Sequence, residues 1–323
     1  MVEKEILLSI NDIKKWFSVD EKLIGKPTSF VKAVDGVSFD VYKGEVLGLV
    51  GESGCGKTTI SRSILGLTEP TSGSIVFEGK ELMGMKKREL RKMRSELQIV
   101  FQDPYSSLSP RMRIADTIAE PMEIQKKGTR KERRQRVEEL LEIVGLEKSF
   151  ADRYPHEFSG GQRQRIGIAR VLAADPKFMI CDEPVSALDV SVRSQILNLL
   201  IELKEDFGLT MLFISHDLSV VEYICDRIIV MYLGKVMEIA KRDDLYRNPS
   251  HPYTQALLSA IPIPDPSLKK ERILLEGDTP SPVDPPAGCR FCTRCAKAQE
   301  ICRTTAPELR DIEEGHIVAC HLA

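Results

Sequence analysis

One stretch limits the possible folds more than the rest of the chain. An apolar run, Val46-Leu-Gly-Leu-Val50, leads straight into Gly51-Glu-Ser-Gly-Cys-Gly56-Lys57-Thr58. The run reads as a buried strand and Thr58 to Leu67 as a helix, so the glycines lie between strand and helix. The loop matches G-x-x-x-x-G-K-[ST], and this flanking context makes the match a phosphate-binding loop. Glycines let backbone N–H groups turn inward around phosphate oxygens. The helix N-terminus adds its positive dipole end. Lys57 can reach the outer phosphates of a nucleotide, and the Thr58 hydroxyl can hold Mg²⁺.

The rest of the first 250 residues supplies the sheet such a loop needs. Alternation at Leu7, Ile10 and Ile13, and at Val34, Val37, Phe39 and Val41, predicts strands. Further strands are read at Ser74–Phe77, Ile99–Phe101, Phe178–Cys181, Met211–Ile214, Arg227–Tyr232 and Val236–Ala240. Helices are predicted over 86–97, 115–144 with a break at Gly128, 166–173, 190–203 and 218–224. Helices alternating with apolar strands give an α/β fold with a parallel sheet. Beyond Asn248 the prolines crowd together (Pro249, Pro252, Pro262, Pro264, Pro266, then Pro280, Pro282, Pro285 and Pro286). That density places a boundary near residue 250 and predicts a loop-rich tail. Lys+Arg 46 against Asp+Glu 48 leaves a net charge of −2, which argues against a globally basic nucleic-acid binder. No apolar run is long enough for a spanning helix. The start, Met1-Val-Glu-Lys-Glu5, lacks signal-peptide character. A cytosolic protein is expected, unless a partner holds it at a membrane.

Two more segments carry chemistry. Phe178-Met-Ile-Cys-Asp182-Glu183 ends an apolar strand in two carboxylates, where open α/β sheets bind ligands. There Asp182 is suited to orient Mg²⁺ and Glu183 to act as general base toward an attacking water. Phe158-Ser159-Gly160-Gly161-Gln162 opens a helix that carries Arg163 and Arg165. Ser159 is a plausible N-cap, and the paired glycines expose N–H groups as a second anion site.

Ser159-Gly-Gly-Gln162 resembles the signature motif of ATP-binding cassette (ABC) ATPases, with Phe158 where leucine is commoner. The order of the surrounding segments resembles that family too: the loop at 51–58, Gln102 after a strand, the acids at 182–183, Ser186-Ala-Leu-Asp189, and His216 after a strand. The resemblance covers about residues 6 to 245. It implies a P-loop ABC ATPase with a mixed-sheet core, an antiparallel β subdomain and a helical subdomain over about 103–165. The nucleotide-binding domain would span 1–250, and a small, loop-rich, metal-binding domain 251–323. It implies ATP bound by Phe17 (stacked on adenine, with Trp16 adjacent), Gly51, Ser53, Gly54, Gly56, Lys57, Thr58 and Thr59. Mg²⁺ would be held by Thr58, Gln102 and Asp182, with Glu183, His216 and Gln102 as the catalytic group. Ser159, Gly160, Gly161, Gln162 and Asp189 would act in trans, on ATP held by a second cassette.

His251-Pro252-Tyr253-Thr254 and Gln102-Asp-Pro-Tyr-Ser-Ser-Leu-Ser-Pro110 resemble the dipeptide and oligopeptide importer branch. That branch implies two permease subunits, a second, homologous ATPase subunit, an extracellular solute-binding protein and a peripheral place on the cytoplasmic face of the membrane. Nucleic acid is not an expected partner; a soluble ABC ATPase of repair or translation, or an ATP-binding metal-dependent regulator, is the rival reading. The basic run Lys126–Arg136 could meet anionic lipid or nucleic acid, but without interleaved aromatics a solvated helix face is favoured. Cys289, Cys292, Cys295, Cys302 and Cys320 crowd the tail, at spacing that lets thiolates converge on a soft metal. Zinc and an iron–sulfur centre both fit four cysteines. The importer branch implies a 4Fe-4S cluster on Cys289, Cys295, Cys302 and Cys320, with Cys292 a possible substitute. His316 and His321, flanking Cys320, are read as surface residues or alternative ligands.

Overall fold

The computed structural model describes residues 5–19, 29–103, 105, 107–262, 272–283 and 285–323. Met1 to Lys4, Pro104, Ser106, Pro264 and Pro266, all invoked in the sequence reading, lie outside these residues. The chain divides into two compact units, one of residues up to Gly84 with Ser215–Ala323, the other of Met85–Ile214.

In the first unit an antiparallel sheet runs in the order Phe30–Tyr42, Ile6–Ser18, Ser72–Phe77, Lys80–Glu81. The two long strands pair from Ile6↔Tyr42 to Ser18↔Phe30, with register shifts between Ile10 and Lys14. Asp12 within that interval has φ 46°, a bulge that the alternating pattern alone did not announce. The alternation puts Ile10, Ile13, Val34, Val37 and Val41 in the core, each at most 1% exposed. The strand Val46–Val50, buried throughout, pairs in parallel with Arg227–Tyr232. Arg227–Tyr232 turns back into Lys235–Lys241, which pairs with a strand from the far end of the chain, His316–Val318.

The tail is therefore not only loop. Pro252 stands at the first position of a helix, Pro252–Ser259, where its fixed φ is preorganised and its missing N–H costs nothing. A short helix, Glu300–Thr304, and the hairpin of Arg310–Glu313 with His316–Val318 follow. Proline density ruled out long helices, and short elements fill the gaps between prolines.

In the second unit Leu97–Val100, Phe178–Asp182 and Thr210–Ser215 form parallel neighbours, in register from Phe178↔Thr210 to Asp182↔Ile214. Near-continuous apolar runs are what parallel strands covered on both faces require. The helices Ile114–Ile124, Arg130–Ile143 and Gly160–Leu172 pack against one another. The basic segment lies partly on the middle one, which opens in a capping box of Thr129 and Glu132. Arg133 pairs with Glu123, Arg134 with Glu138 and Asp152, and Arg136 with Glu139. The charges of Arg133, Arg134 and Arg136 are thus answered within the unit. Among the described residues no helix is long and apolar enough to cross a membrane.

Candidate functional site

The phosphate loop is built by close backbone approach. Gly51 has φ 153° and Gly56 φ 105°. A Cβ on Gly51 would stand 2.2 Å from the Met231 carbonyl oxygen, and one on Gly56 2.2 Å from that of Ala33. Both cradle glycines are therefore fixed by their neighbours as well as by φ. The helix Lys57–Ile64 starts from Gly56 with no side-chain cap, so its first N–H groups are left for a ligand. Lys57, 6% exposed, donates from Nζ to the Gly51 carbonyl at 2.7 Å and the Glu52 carbonyl at 3.0 Å. The lysine thus sits coiled on its own loop. Ser53, Gly54 and Thr58 are exposed and Thr59 half-buried. Such a cradle of N–H groups, with a cation and a free-standing threonine, fits a polyphosphate and its Mg²⁺.

Phe17 lies on the strand Ile6–Ser18, 42% exposed, with the Lys15 ammonium 4.9 Å from its ring centre. Its neighbour Trp16 is committed elsewhere: the indole N–H donates to Asp35 Oδ1 at 3.0 Å. Phe17 is the aromatic of the two left open to a ligand. His216 follows the strand Thr210–Ser215 and is exposed.

In the second unit Asp182 is buried at the strand end and Glu183 is the next residue. Glu183 has φ 49°, a left-handed conformation uncommon for a residue with a side chain. Its N–H donates to the Ile214 carbonyl at 2.9 Å, and its carbonyl accepts from the Ser186 hydroxyl at 3.1 Å. These bonds hold the strained backbone, and strain of this kind clusters at working sites. The Glu183 carboxylate accepts from Gln102 Nε2 at 3.0 Å, so these two predicted residues meet.

Ser159 caps the helix Gly160–Leu172 in a reciprocal box: its hydroxyl accepts from the Gln162 N–H at 3.3 Å, and Gln162 Oε1 accepts from the Ser159 N–H at 3.0 Å. Gly161 is buried, and a Cβ there would meet Val192 Cγ1 at 2.3 Å. Asp189 caps Val190–Phe207. The Val192 N–H, with help from the Ser191 hydroxyl, holds its carboxyl below the usual carboxylate range.

The tail brings residues to the phosphate loop that the sequence did not single out for this. Glu52, second in the loop, accepts from Arg294 Nη1 at 3.1 and 2.9 Å and from the Thr279 hydroxyl at 3.0 Å. Its N–H donates to the Tyr253 hydroxyl at 3.1 Å. Tyr253 packs with Tyr232 and Phe291, at ring separations of 4.8 and 5.2 Å, and His251 lies 5.8 Å from Phe291. Beneath this box is a buried carboxylate, Glu238, fully shielded from solvent. It accepts from the N–H groups of Ser250 and His251 at 2.7 and 3.1 Å and bonds His316 Nε2 at 2.7 Å. His316, 2% exposed, is a core residue and corrects the surface reading. His321 Nε2 bonds the Thr305 carbonyl at 2.9 Å. A second buried pair joins the tail to the first strands, Arg290 donating to Asp35. The His-Pro-Tyr motif was visible in the sequence; the arginines, hidden among cysteines, gave no signal.

The metal expected in the tail is not shown. Cys289, Cys292, Cys302 and Cys320 are buried and Cys295 half-buried, and the thiols are near enough to influence one another's ionisation. The Cys289 N–H donates to the Cys302 carbonyl at 2.8 Å, which sets these two residues side by side. Burial pushes the Cys289 thiol up to about 11 and raises Cys292 and Cys295 as well. Among the described residues no group of three or more His, Cys, Asp or Glu side chains is placed to hold a metal ion. Neither zinc nor a 4Fe-4S cluster on Cys289, Cys295, Cys302 and Cys320 is therefore shown by the described residues.

Comparison with known proteins matches two stretches of the chain. The sequence profile of the ABC transporter family matches residues 34–186, and that of the oligopeptide/dipeptide transporter C-terminal region matches 237–302. The oligopeptide transport ATP-binding protein AppF of Bacillus subtilis is 54% identical, over 99% of this chain and 98% of its own. The oligopeptide transport ATP-binding protein OppF of Escherichia coli is 51% identical, over 98% of this chain and 96% of its own. Among solved structures, the post-hydrolysis dimer of the ATP-binding cassette MJ0796 bound to ADP and Pi matches with a TM-score of 0.65 at 30% identity, over 73% of this chain and 99% of that one.

Proposed function

Since the chain belongs to the ATP-binding subunits of oligopeptide/dipeptide ABC transporters, we propose how its residues divide the work of an ATPase that powers peptide import. The observation that carries this reading is the end-to-end likeness to AppF and OppF, which includes the His251-Pro252-Tyr253 extension as well as the cassette.

Gly51, Ser53, Gly54, Gly56 and Thr59 present the loop and helix N–H groups to the phosphates of ATP. Lys57 leaves the carbonyls of Gly51 and Glu52 and donates to the outer phosphates instead. Both states of the lysine are fully hydrogen-bonded, so the exchange leaves no buried cation unpaired. Phe17 offers its open face to adenine. Thr58, Gln102 and Asp182 would hold Mg²⁺, which would supply charge neutralisation at the phosphates. Glu183 takes the proton of the attacking water, and Gln102, bonded to it, orients its carboxylate. His216 donates to the terminal phosphate. Ser159, Gly160, Gly161, Gln162 and Asp189 form the face offered to a second cassette. Support for that division is the cap geometry at Ser159 and Asp189, which fixes both helix starts. In the cell the subunit works with membrane permeases and an extracellular solute-binding protein, beside a second homologous ATPase, at the cytoplasmic face of the membrane.

The test is Glu183→Gln within the assembled importer, read by ATP hydrolysis and by peptide uptake. Loss of a general base predicts a fall of about a hundredfold or more in both, with ATP binding retained. Hydrolysis at the wild-type rate would remove Glu183 from the base role.

A further inference from the structure

We propose that Arg294 is a positioning residue for the phosphate loop: it acts through Glu52, so that the C-terminal extension sets the affinity of the loop for nucleotide. The proposal rests on the ATPase reading and adds the tail to its site.

Three observations converge on Glu52. Its carboxylate takes both short bonds from Arg294 Nη1, at 3.1 and 2.9 Å, and a third from the Thr279 hydroxyl at 3.0 Å. Its N–H is taken by the Tyr253 hydroxyl at 3.1 Å. Its carbonyl accepts from Lys57 Nζ at 3.0 Å. Main chain and side chain of this loop residue are thus bonded at once to the catalytic lysine and to three points of the extension. The guanidinium is further fixed by the Tyr232 hydroxyl at 3.3 Å, and the Arg294 side chain is 11% exposed. A cavity of about 260 Å³ lies between Glu52–Cys55 and Thr279–Pro282, so the loop touches the extension at bonds and not over a packed surface.

Electrostatics explains why a carboxylate at this position needs an answer. Glu52 belongs to a loop whose task is to gather the negative charge of a triphosphate, and an unpaired carboxylate there opposes it. Arg294 cancels that charge and, with Nη1 bonded to both carboxylate oxygens, holds the Glu52 side chain in one place. The short bonds are charge-assisted, the stronger class.

The full-length chain is titrated with Mg²⁺ and the non-hydrolysable analogue adenylyl imidodiphosphate by calorimetry, and kcat and KM for ATP are measured beside it. Arg294→Gln is expected to weaken binding roughly tenfold, the equivalent of one lost charge-assisted bond. KM rises in step while kcat at saturation stays close to wild type. Glu52→Gln/Arg294→Gln removes the carboxylate with its partner, and affinity returns to within about threefold of wild type. Arg294→Lys keeps the charge without the guanidinium's reach to both carboxylate oxygens and falls in between; it replaces Arg294→Gln if the latter does not fold. Wild-type affinity in the Arg294 variants overturns the proposal. So does a double variant no better than Arg294→Gln, since that pattern belongs to lost packing. Failure of the wild-type chain itself to bind the analogue would instead strike the ATPase reading.

Discussion

His251 allows a quantitative test of how the extension is held. Its side chain is 1% exposed, and Nδ1 accepts from the Tyr253 N–H at 3.0 Å as the cap of the helix Pro252–Ser259. Burial lowers its pKa from 6.5 to about 4. An imidazole that caps through Nδ1 must be neutral there, which agrees with that direction. Between pH 6.5 and 4 the unfolded chain binds a proton at this site that the folded chain does not. Stability from His251 is therefore complete above pH 6.5 and is lost as pH falls toward 4. Linkage gives a loss of about 2 kcal/mol by pH 5. Asparagine at the same place can still cap the helix, but it carries no titrating ring. Urea unfolding of the wild type and His251→Asn at pH 7.5 and pH 5.0 isolates the effect, because every other titrating group cancels in the difference. At pH 7.5 the variant is the less stable, having lost the ring that packs beside Phe291. At pH 5.0 the gap between the two narrows by about 2 kcal/mol. A gap that is the same at both pH values would refute the reasoning, and with it the neutral, capping imidazole.

Two further outcomes follow from other contacts. Asp35 accepts from the Trp16 indole and from Arg290, both inside the first unit, and it is 8% exposed. Asp35→Asn leaves Arg290 buried without its counter-charge, at a cost of about 3–5 kcal/mol, so the melting midpoint should fall by roughly 10 °C. A shift under about 2 °C would mean that the pair is solvated. Gly161→Ala puts a methyl 2.3 Å from Val192 Cγ1, a stiff β-branched side chain, and should destabilise by about 1–3 kcal/mol despite alanine's higher helix propensity. Val192→Ala in the same chain should restore most of the loss in a denaturant titration; failure to do so would place the strain elsewhere.

What could be read ahead of the structure divides along a physical line. Residues whose role is fixed by their immediate neighbours were legible. Gly51 and Gly56 announce a backbone that must pass close to Met231 and Ala33, Ser159 announces a cap, and Asp182-Glu183 announce a strand end, because each feature is local to a few positions. Glu183 and Gln102, far apart in sequence yet bonded at 3.0 Å, were paired only through the family order. The tail marks where local reading stops. Its cysteine spacing suggested a metal, since C-x-x-C pairs are a local pattern, and the fold does bring the thiols near one another, without a metal group being shown. The segment also packs about Phe291, and aims the two arginines between its cysteines at Asp35 and Glu52. Glu238 and His316 meet only when the final hairpin pairs with Lys235–Lys241. A charge partner more than two hundred residues away leaves no period, cap or turn signal, which is why the contacts tying the extension to the phosphate loop were the ones the sequence withheld. They are also the contacts that distinguish this chain from a bare cassette, and they give the extension a route to the chemistry through Glu52.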